Sequence, residues 1–267
     1  MVSWWPAEGD ANDIQDGNDG TFNGTPAYGS GEVGQAFSFN GIDAYVEVPD
    51  NASLNPTAVT VDAWINPSDV SGNHDIVFKG NHEYLMQLRN GTILFGSKDG
   101  TGNYTEFQGS LNVPANTWSH VAITHDGATR RIYVNGVLDP VTQSQTGLFT
   151  GDTDTLKIGR HFFAIDFFNG LIDEVEVFNR ALSPAEIASI YNAQCAGKCR
   201  SCAPAPGGMV SWWPGDGNAH DIQDSNNGTL VNGVTFTSGE VGQAFNLDGI
   251  NDYVEVADSP VVVQFGI

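Results

Sequence analysis

With 32 acidic against 10 basic side chains in 267 residues, the chain has a formal net charge of −22, which makes nucleic acid and anionic membrane surfaces poor partners. A hydrophobic content of 40% together with 32 glycines suits an ordered, turn-rich protein rather than a disordered one. No apolar run approaches the length of a membrane span, so membrane insertion is not expected. Met1-Val2-Ser3-Trp4-Trp5-Pro6 lacks the basic start and apolar core of a signal peptide.

In chain order, short strands are expected at about 2–7, 36–40, 44–49, 59–65, 75–79, 84–89, 92–97 and 105–110. Four more follow at about 118–125, 130–135, 155–160 and 171–178, with Gly, Asn, Asp and Pro clusters between them. The segment from Trp118 to Gly136 is the most legible: two runs of β-branched and aromatic residues at spacing two, joined by Asp126-Gly127 and closed by Asn135-Gly136. Val121 and Ile123 share one face, Trp118, His120 and Ala122 the other. Neither face is fully polar, as inside a sandwich. Many short strands and almost no helix predict an all-β protein, an antiparallel two-sheet sandwich. One short C-terminal helix is expected after the capping box Ser183-Pro184-Ala185-Glu186, with Ile187, Ile190 and Tyr191 on the face that packs against a sheet edge.

Beyond the helix, Cys195, Cys199 and Cys202 lie in a Pro-, Ala- and Gly-rich linker over 195–208. A local disulfide with one thiol left over is expected there, since no fourth metal ligand is evident. Residues 209–258 then repeat residues 1–50 without a gap, with more than half the positions identical. A period of that length is a whole domain. The expected organisation is one domain over 1–194 and the incomplete opening of a second over 209–267, the chain being a piece of something longer. An incomplete sandwich cannot close a core alone, so 209–267 is expected to be loosely ordered, to dock on the first domain, or to self-associate.

Trp118-x-His120-Val121-Ala122, the Asp126-Gly127 turn and Ile132-Tyr133-Val134-Asn135-Gly136 resemble the laminin-G-like, concanavalin A-like jelly-roll domains of secreted bacterial proteins. Matching segments are Gly34–Gly41, Tyr45–Pro49, Thr60–Ile65, Asn169–Val175 and Arg180–Ser183, so the resemblance covers about 1–194 and starts again at 209. It implies a jelly roll, a secreted or cell-surface bacterial setting, and non-catalytic recognition of a glycan or a cell-surface protein. It also implies a structural calcium tying the first and last strands through an Asp of the last strand, here Asp173. The acidic, oxygen-rich loop just after the first strand offers Glu8 and Asp10 as the next donors.

For a sugar, an aromatic platform beside a few directed polar groups is required. Gly159–Asn169 is unusually aromatic, and Arg160, Phe162 and Phe163 are the candidates there, with Asp75, His82 and Tyr84 as loop partners brought near by the jelly-roll order. Glu174 and Glu176, two apart on a strand, are the alternative: a glycoside hydrolase or lyase on the same sandwich. No catalytic residue is assigned, because the tighter acidic spacing of such enzymes is missing. A spacer that binds nothing is the third reading.

Overall fold

The computed structural model describes residues 1–25, 27–151, 153–193, 210–215, 218–221, 226–238 and 243–257. The chain divides into two units, Met1–Gln194 and Cys195–Ile267. The first unit is a sandwich of two large antiparallel sheets with one helix, a jelly roll. The cysteines and residues 258–267 lie outside the described residues.

The first sheet is built on β16 (Asn169–Phe178), with β6 (Val59–Pro67), β11 (Ser119–His125) and β12 (Thr129–Val134) in order on one side. Short β13 (Val137–Leu138) and β14 (Gln143–Ser144) pair with β12. On its other side β16 pairs first with β4 (Gln35–Asn40), itself edged by β3 (Tyr28–Ser30), and then with β1 (Ser3–Trp5). The second sheet runs β10 (Tyr104–Asn112), β9 (Thr92–Lys98), β8 (Tyr84–Arg89), β7 (Asn73–Lys79), β15 (Leu156–Ile158), β5 (Tyr45–Val48), β2 (Thr21–Asn23).

The alternation of β11 does what the sequence pattern requires. Val121 and Ile123 enter the core with Val61, Ala63 and Ile65 of β6 and Ile172, Val175 and Val177 of β16. The opposite sheet supplies Val46, Val48, Met86, Leu88, Ile93 and Phe95 to the same core. On the outward side of the first sheet, His120 meets Asp62 at 3.0 Å, both fully buried, and Trp64 stacks on Tyr191 of the helix α1 (Pro184–Ala193).

That helix starts where the capping box places it. The Ser183 N–H and hydroxyl both reach the Glu186 carboxylate at 2.8 Å, and the Glu186 N–H donates to the Ser183 hydroxyl at 3.3 Å. Its apolar stripe lies on the outward face of the sheet, over Ala122, Tyr133 and Phe178, rather than along an edge. Thr60, on that face of β6, holds the turn before the helix: its hydroxyl donates to Arg180 O and accepts from Leu182 N, each at 2.8 Å.

The second unit holds two hairpin-like pairs: β17 (Gly228–Val231) with β20 (Tyr253–Val256), and β18 (Thr235–Ser238) with β19 (Gln243–Asn246). Among the described residues no helix is long and apolar enough to cross a membrane.

Truncating a side chain shared by both layers tests this core. Ile123→Ala is expected to cost about 2–5 kcal/mol in urea unfolding of the first unit; a loss under about 0.5 kcal/mol is incompatible with the packing.

Candidate functional site

The outward face of the second sheet is organised by one row of residues in register. From β10 inward, Glu106 faces Gly96, Gly96 faces Leu85, Leu85 faces Phe78, Phe78 faces Lys157, and Lys157 faces Glu47. Leu85, Phe78 and Leu94 are buried in a small apolar cluster separate from the main core. What buries them is the segment 159–168, folded back over β7 and β15. Gly159 N donates to Ile76 O at 3.0 Å and Asp75 N donates to Asp166 O at 2.9 Å, while Ala164 and Asp166 take left-handed backbone to turn the loop between these ties.

The loop lays rings on Phe78: His161 at 4.4 Å and Phe162 at 6.5 Å between centroids. His82, in the turn from β7 to β8, sits 5.0 Å from Phe78, 5.5 Å from His161 and 4.5 Å from Tyr104. Phe163 stacks on His161 at 5.5 Å and is 62% exposed; Tyr104 is 37% exposed. Gly96 lets Tyr104 lie down on β9, since a Cβ there would meet the Tyr104 hydroxyl. Burial depresses the affinity of both His82 and His161 for protons; Lys98 adds to it at His82, and His82 adds to it at His161.

Beside these rings runs a chain of directed polar contacts. The Tyr104 hydroxyl donates to Glu106 at 2.7 Å, and Arg89 Nη1 donates to the other Glu106 oxygen at 2.7 Å. Arg89 Nε donates to Gln87 at 2.9 Å, and Gln87 Nε2 donates to Asp75 Oδ1 at 2.5 Å. Asp75 ends the chain fully buried, its Oδ2 without a hydrogen-bond partner among the described residues. Burial holds the Asp75 carboxyl well above the usual carboxylate range; Asp166 reinforces this, and the Gln87 bond and Arg89 charge oppose it. A bulge between Asp75 and Val77 puts it there: Ile76 and Val77 both enter the core, leaving Asp75 and Phe78 outward.

Of the residues named for a sugar from sequence, Asp75, His82, Arg160, Phe162 and Phe163 are therefore brought to this face, Arg160 over the Tyr45 ring at 3.9 Å. Tyr84 is not. It opens β8 on the inward side of the alternation, buried, with its hydroxyl donating to Leu54 O at 3.0 Å. Missed from sequence were Tyr104, Glu106, Arg89 and Gln87; the signal was the Tyr-x-Glu-x-Gln alternation from Tyr104 to Gln108, which places three polar groups on one face.

The acidic residues named for calcium are distributed differently. Asp173 is fully buried where β16 changes partner from β4 to β1. Its Oδ2 accepts from Val33 N at 3.0 Å, and its Oδ1 has no partner among the described residues. Burial lifts its pKa to about 7, with the charge of Glu8 adding to the effect and the Val33 N–H opposing it. Glu8 accepts from Gln35 N at 3.3 Å in the same 31–35 turn, and a Cβ on Gly31 would stand 2.5 Å from Asp173 Oδ2. Asp10 instead closes its own turn by accepting from Asn12 N at 3.1 Å and is exposed. Among the described residues no three His, Cys, Asp or Glu side chains converge as a metal-holding group, so the three named carboxylates do not form one cluster. Glu8, Asp173 and the carbonyls of the Gly31–Gln35 turn remain as an all-oxygen donor set, the chemistry a calcium ion takes.

Glu174 and Glu176 are almost wholly buried, Glu174 accepting from the Trp4 indole and Glu176 facing Asp62 across the pairing of β16 with β6. Neither is open to a polysaccharide.

These features define a jelly-roll module with a ring-and-polar patch on one outward face. The sequence profile of the laminin-G type in the concanavalin A-like lectin/glucanases superfamily matches residues 40–188, and the chain belongs to that family. No curated protein matches in sequence. Among solved structures, domain 4 of AbnA, a GH43 extracellular arabinanase from Geobacillus stearothermophilus in complex with arabinotriose, is similar at a TM-score of 0.59 and 23% identity, over 70% of this chain and 96% of that one. The binding domain of Paraclostridial Mosquitocidal Protein 1 is similar at 0.61 and 19%, over 72% and 52%. The binding domain of Botulinum Neurotoxin DC in complex with SialylT is similar at 0.55 and 16%, over 73% and 51%. The chain thus spans about half the length of these toxin domains, and at such identities the likeness is one of fold.

Because the folded state holds the Asp75 proton more tightly than the unfolded one, its contribution to stability is complete below about pH 4 and is lost as pH rises through the folded-state pKa. Asp75→Asn keeps an oxygen for Gln87 and does not titrate. Relative to the parent, this variant is expected to become progressively more stable as pH rises from 4 to 8. A pH-independent difference in urea unfolding would show that Asp75 is buried ionised.

Proposed function

We propose that the first unit is a non-catalytic glycan-binding module, and that the outward face of the second sheet around His82, Tyr104, His161 and Phe163 is where the sugar lies. The observation that carries this is the exposure of Phe163 and Tyr104 on either side of the two imidazoles, backed by Glu106 and Arg89 already held in directed hydrogen bonds. Apolar ring faces for a sugar's C–H surface, with pre-oriented polar groups beside them, are what carbohydrate recognition asks for. The arabinotriose and SialylT complexes of structurally similar domains agree with such a role.

We further propose that calcium stiffens the junction of β1, β4 and β16, held by Asp173, Glu8 and turn carbonyls, where its charge would offset two carboxylates next to each other. A secreted or cell-surface bacterial setting, as part of a larger repeat protein, accords with both proposals.

In a glycan array with the full chain, Phe163→Ala and Tyr104→Ala are each expected to weaken retained ligands about tenfold or more, near 1.4 kcal/mol each, with the far-UV spectrum unchanged. Retention indifferent to both substitutions would remove the face from consideration. Millimolar calcium is expected to raise Tm by several degrees, and Asp173→Asn to abolish that rise. An equal rise in the variant would place any calcium elsewhere.

A further inference from the structure

Two cations on this face lack a carboxylate partner among the described residues, although the chain as a whole is strongly acidic. Among the described cations, Lys79, Arg89, Arg131, Lys157 and Arg180 are each ion-paired with a carboxylate. Arg130 is buried, hydrogen-bonded to Ser97, Thr105 and Gln143, and packed between the Phe95 and Phe107 rings. Apart from buried Arg130, only Lys98 and Arg160 are left without a carboxylate partner among the described residues, and both border the ring patch. Lys98 faces Tyr104 across the pairing of β9 with β10 and is close enough to His82 to depress its proton affinity. Arg160 precedes His161 in the covering loop; its guanidinium lies flat on Tyr45 and its Nε is buried with no hydrogen-bond partner among the described residues.

In a protein of net charge −22, two unneutralised cations at one patch are not a general feature of the surface. Two carboxylates of this face are already engaged: Glu47 with Lys157, Glu106 with Arg89 and Tyr104. A guanidinium stacked on a ring has its orientation fixed and its donor edge free, the arrangement that receives a carboxylate through two parallel N–H bonds. The same net charge works against dense polyanions, whose many charges would feel the whole acidic surface. We propose, resting on the glycan-binding reading of this face, that its ligand is a glycan bearing isolated carboxylates, of the uronic acid class, with Arg160 pairing the carboxylate and Lys98 supplying a second positive charge across the rings.

The test is calorimetric titration of the full chain near physiological salt, about 0.15 M, with an oligogalacturonate, the corresponding neutral oligogalactoside and a sulfated oligosaccharide. The oligogalacturonate is expected to bind at least tenfold tighter than the neutral sugar. Arg160→Gln should erase that preference while leaving the neutral sugar's affinity within twofold, and Arg160→Lys, which keeps the charge without the planar fork, should fall between. Equal binding of acidic and neutral sugars, lost on Phe163→Ala but indifferent to Arg160, would overturn this inference and leave the glycan reading intact. Tighter binding of the sulfated probe would overturn the uronate class. No binding of any probe by the folded parent would overturn both.

Discussion

Everything in the first unit is hung on the double pairing of β16. Along one edge this strand is bonded to β6 for its whole length, and along the other it is bonded first to β4 and then to β1. A strand serving two successive neighbours cannot keep a regular ladder through the exchange, and the register slips between Asp173 and Glu176. Glu174 absorbs the slip in left-handed backbone, uncommon for a residue with a long side chain. The exchange also leaves a gap between the start of β4 and the end of β1, into which Asp173 and the Gly31–Gln35 turn are drawn. The buried carboxylate is thus a consequence of topology. Joining β1 to β16, the last strand of the first unit, creates a polar vacancy in the ladder, and an acid with an oxygen unpaired among the described residues fills it.

How far the sequence could foresee this depends on whether a feature is local. The hairpin of β11 and β12 and the capping box at Ser183 are written in adjacent residues, and both form as their spacing requires. The three-residue strands β2 and β3 are too short to show a period of two, and glycine interrupts the second; they exist because β5 and β4 offer them an edge. Tyr84 was misplaced for a related reason. Read as the end of a polar loop it should be exposed, but β8 begins at that residue, and pairing with Ser97 fixes its side chain inward.

The outward face of the second sheet shows the other limit. Five of the six residues named for it from sequence do meet there, because the aromatic loop has nowhere to go but onto the strand that precedes it in space, β7. What could not be read is the bulge at Asp75–Val77, which reverses the facing expected from simple alternation and puts a buried carboxyl, not an isoleucine, beneath the loop. Nor could the emptiness of Arg160's donor edge be read: that depends on which carboxylates the fold has already given to Lys157 and Arg89.

The repeated segment separates pairing from burial. In the first unit Phe22 faces Val46 and Tyr28 faces Phe37; in the second, Leu230 faces Val254 and Phe236 faces Phe245, the same registers shifted by one repeat. The entry turn is copied as well: Trp5 Nε1 donates to Asn18 O as Trp213 Nε1 does to Asn226 O, and Asp13 and Asp221 receive the same backbone N–H groups. Some fifty residues therefore carry enough information to pair their strands. They do not carry enough to bury them: Val46 is inaccessible to solvent while its counterpart Val254 is only half-buried, and β15 and β16, which pair with β5 and β4 in the first unit, have no counterpart among the described residues of the second. Isolated two-stranded pairs are marginal in water, so the stability of the first unit resides in the strands that arrive late in its sequence and close it.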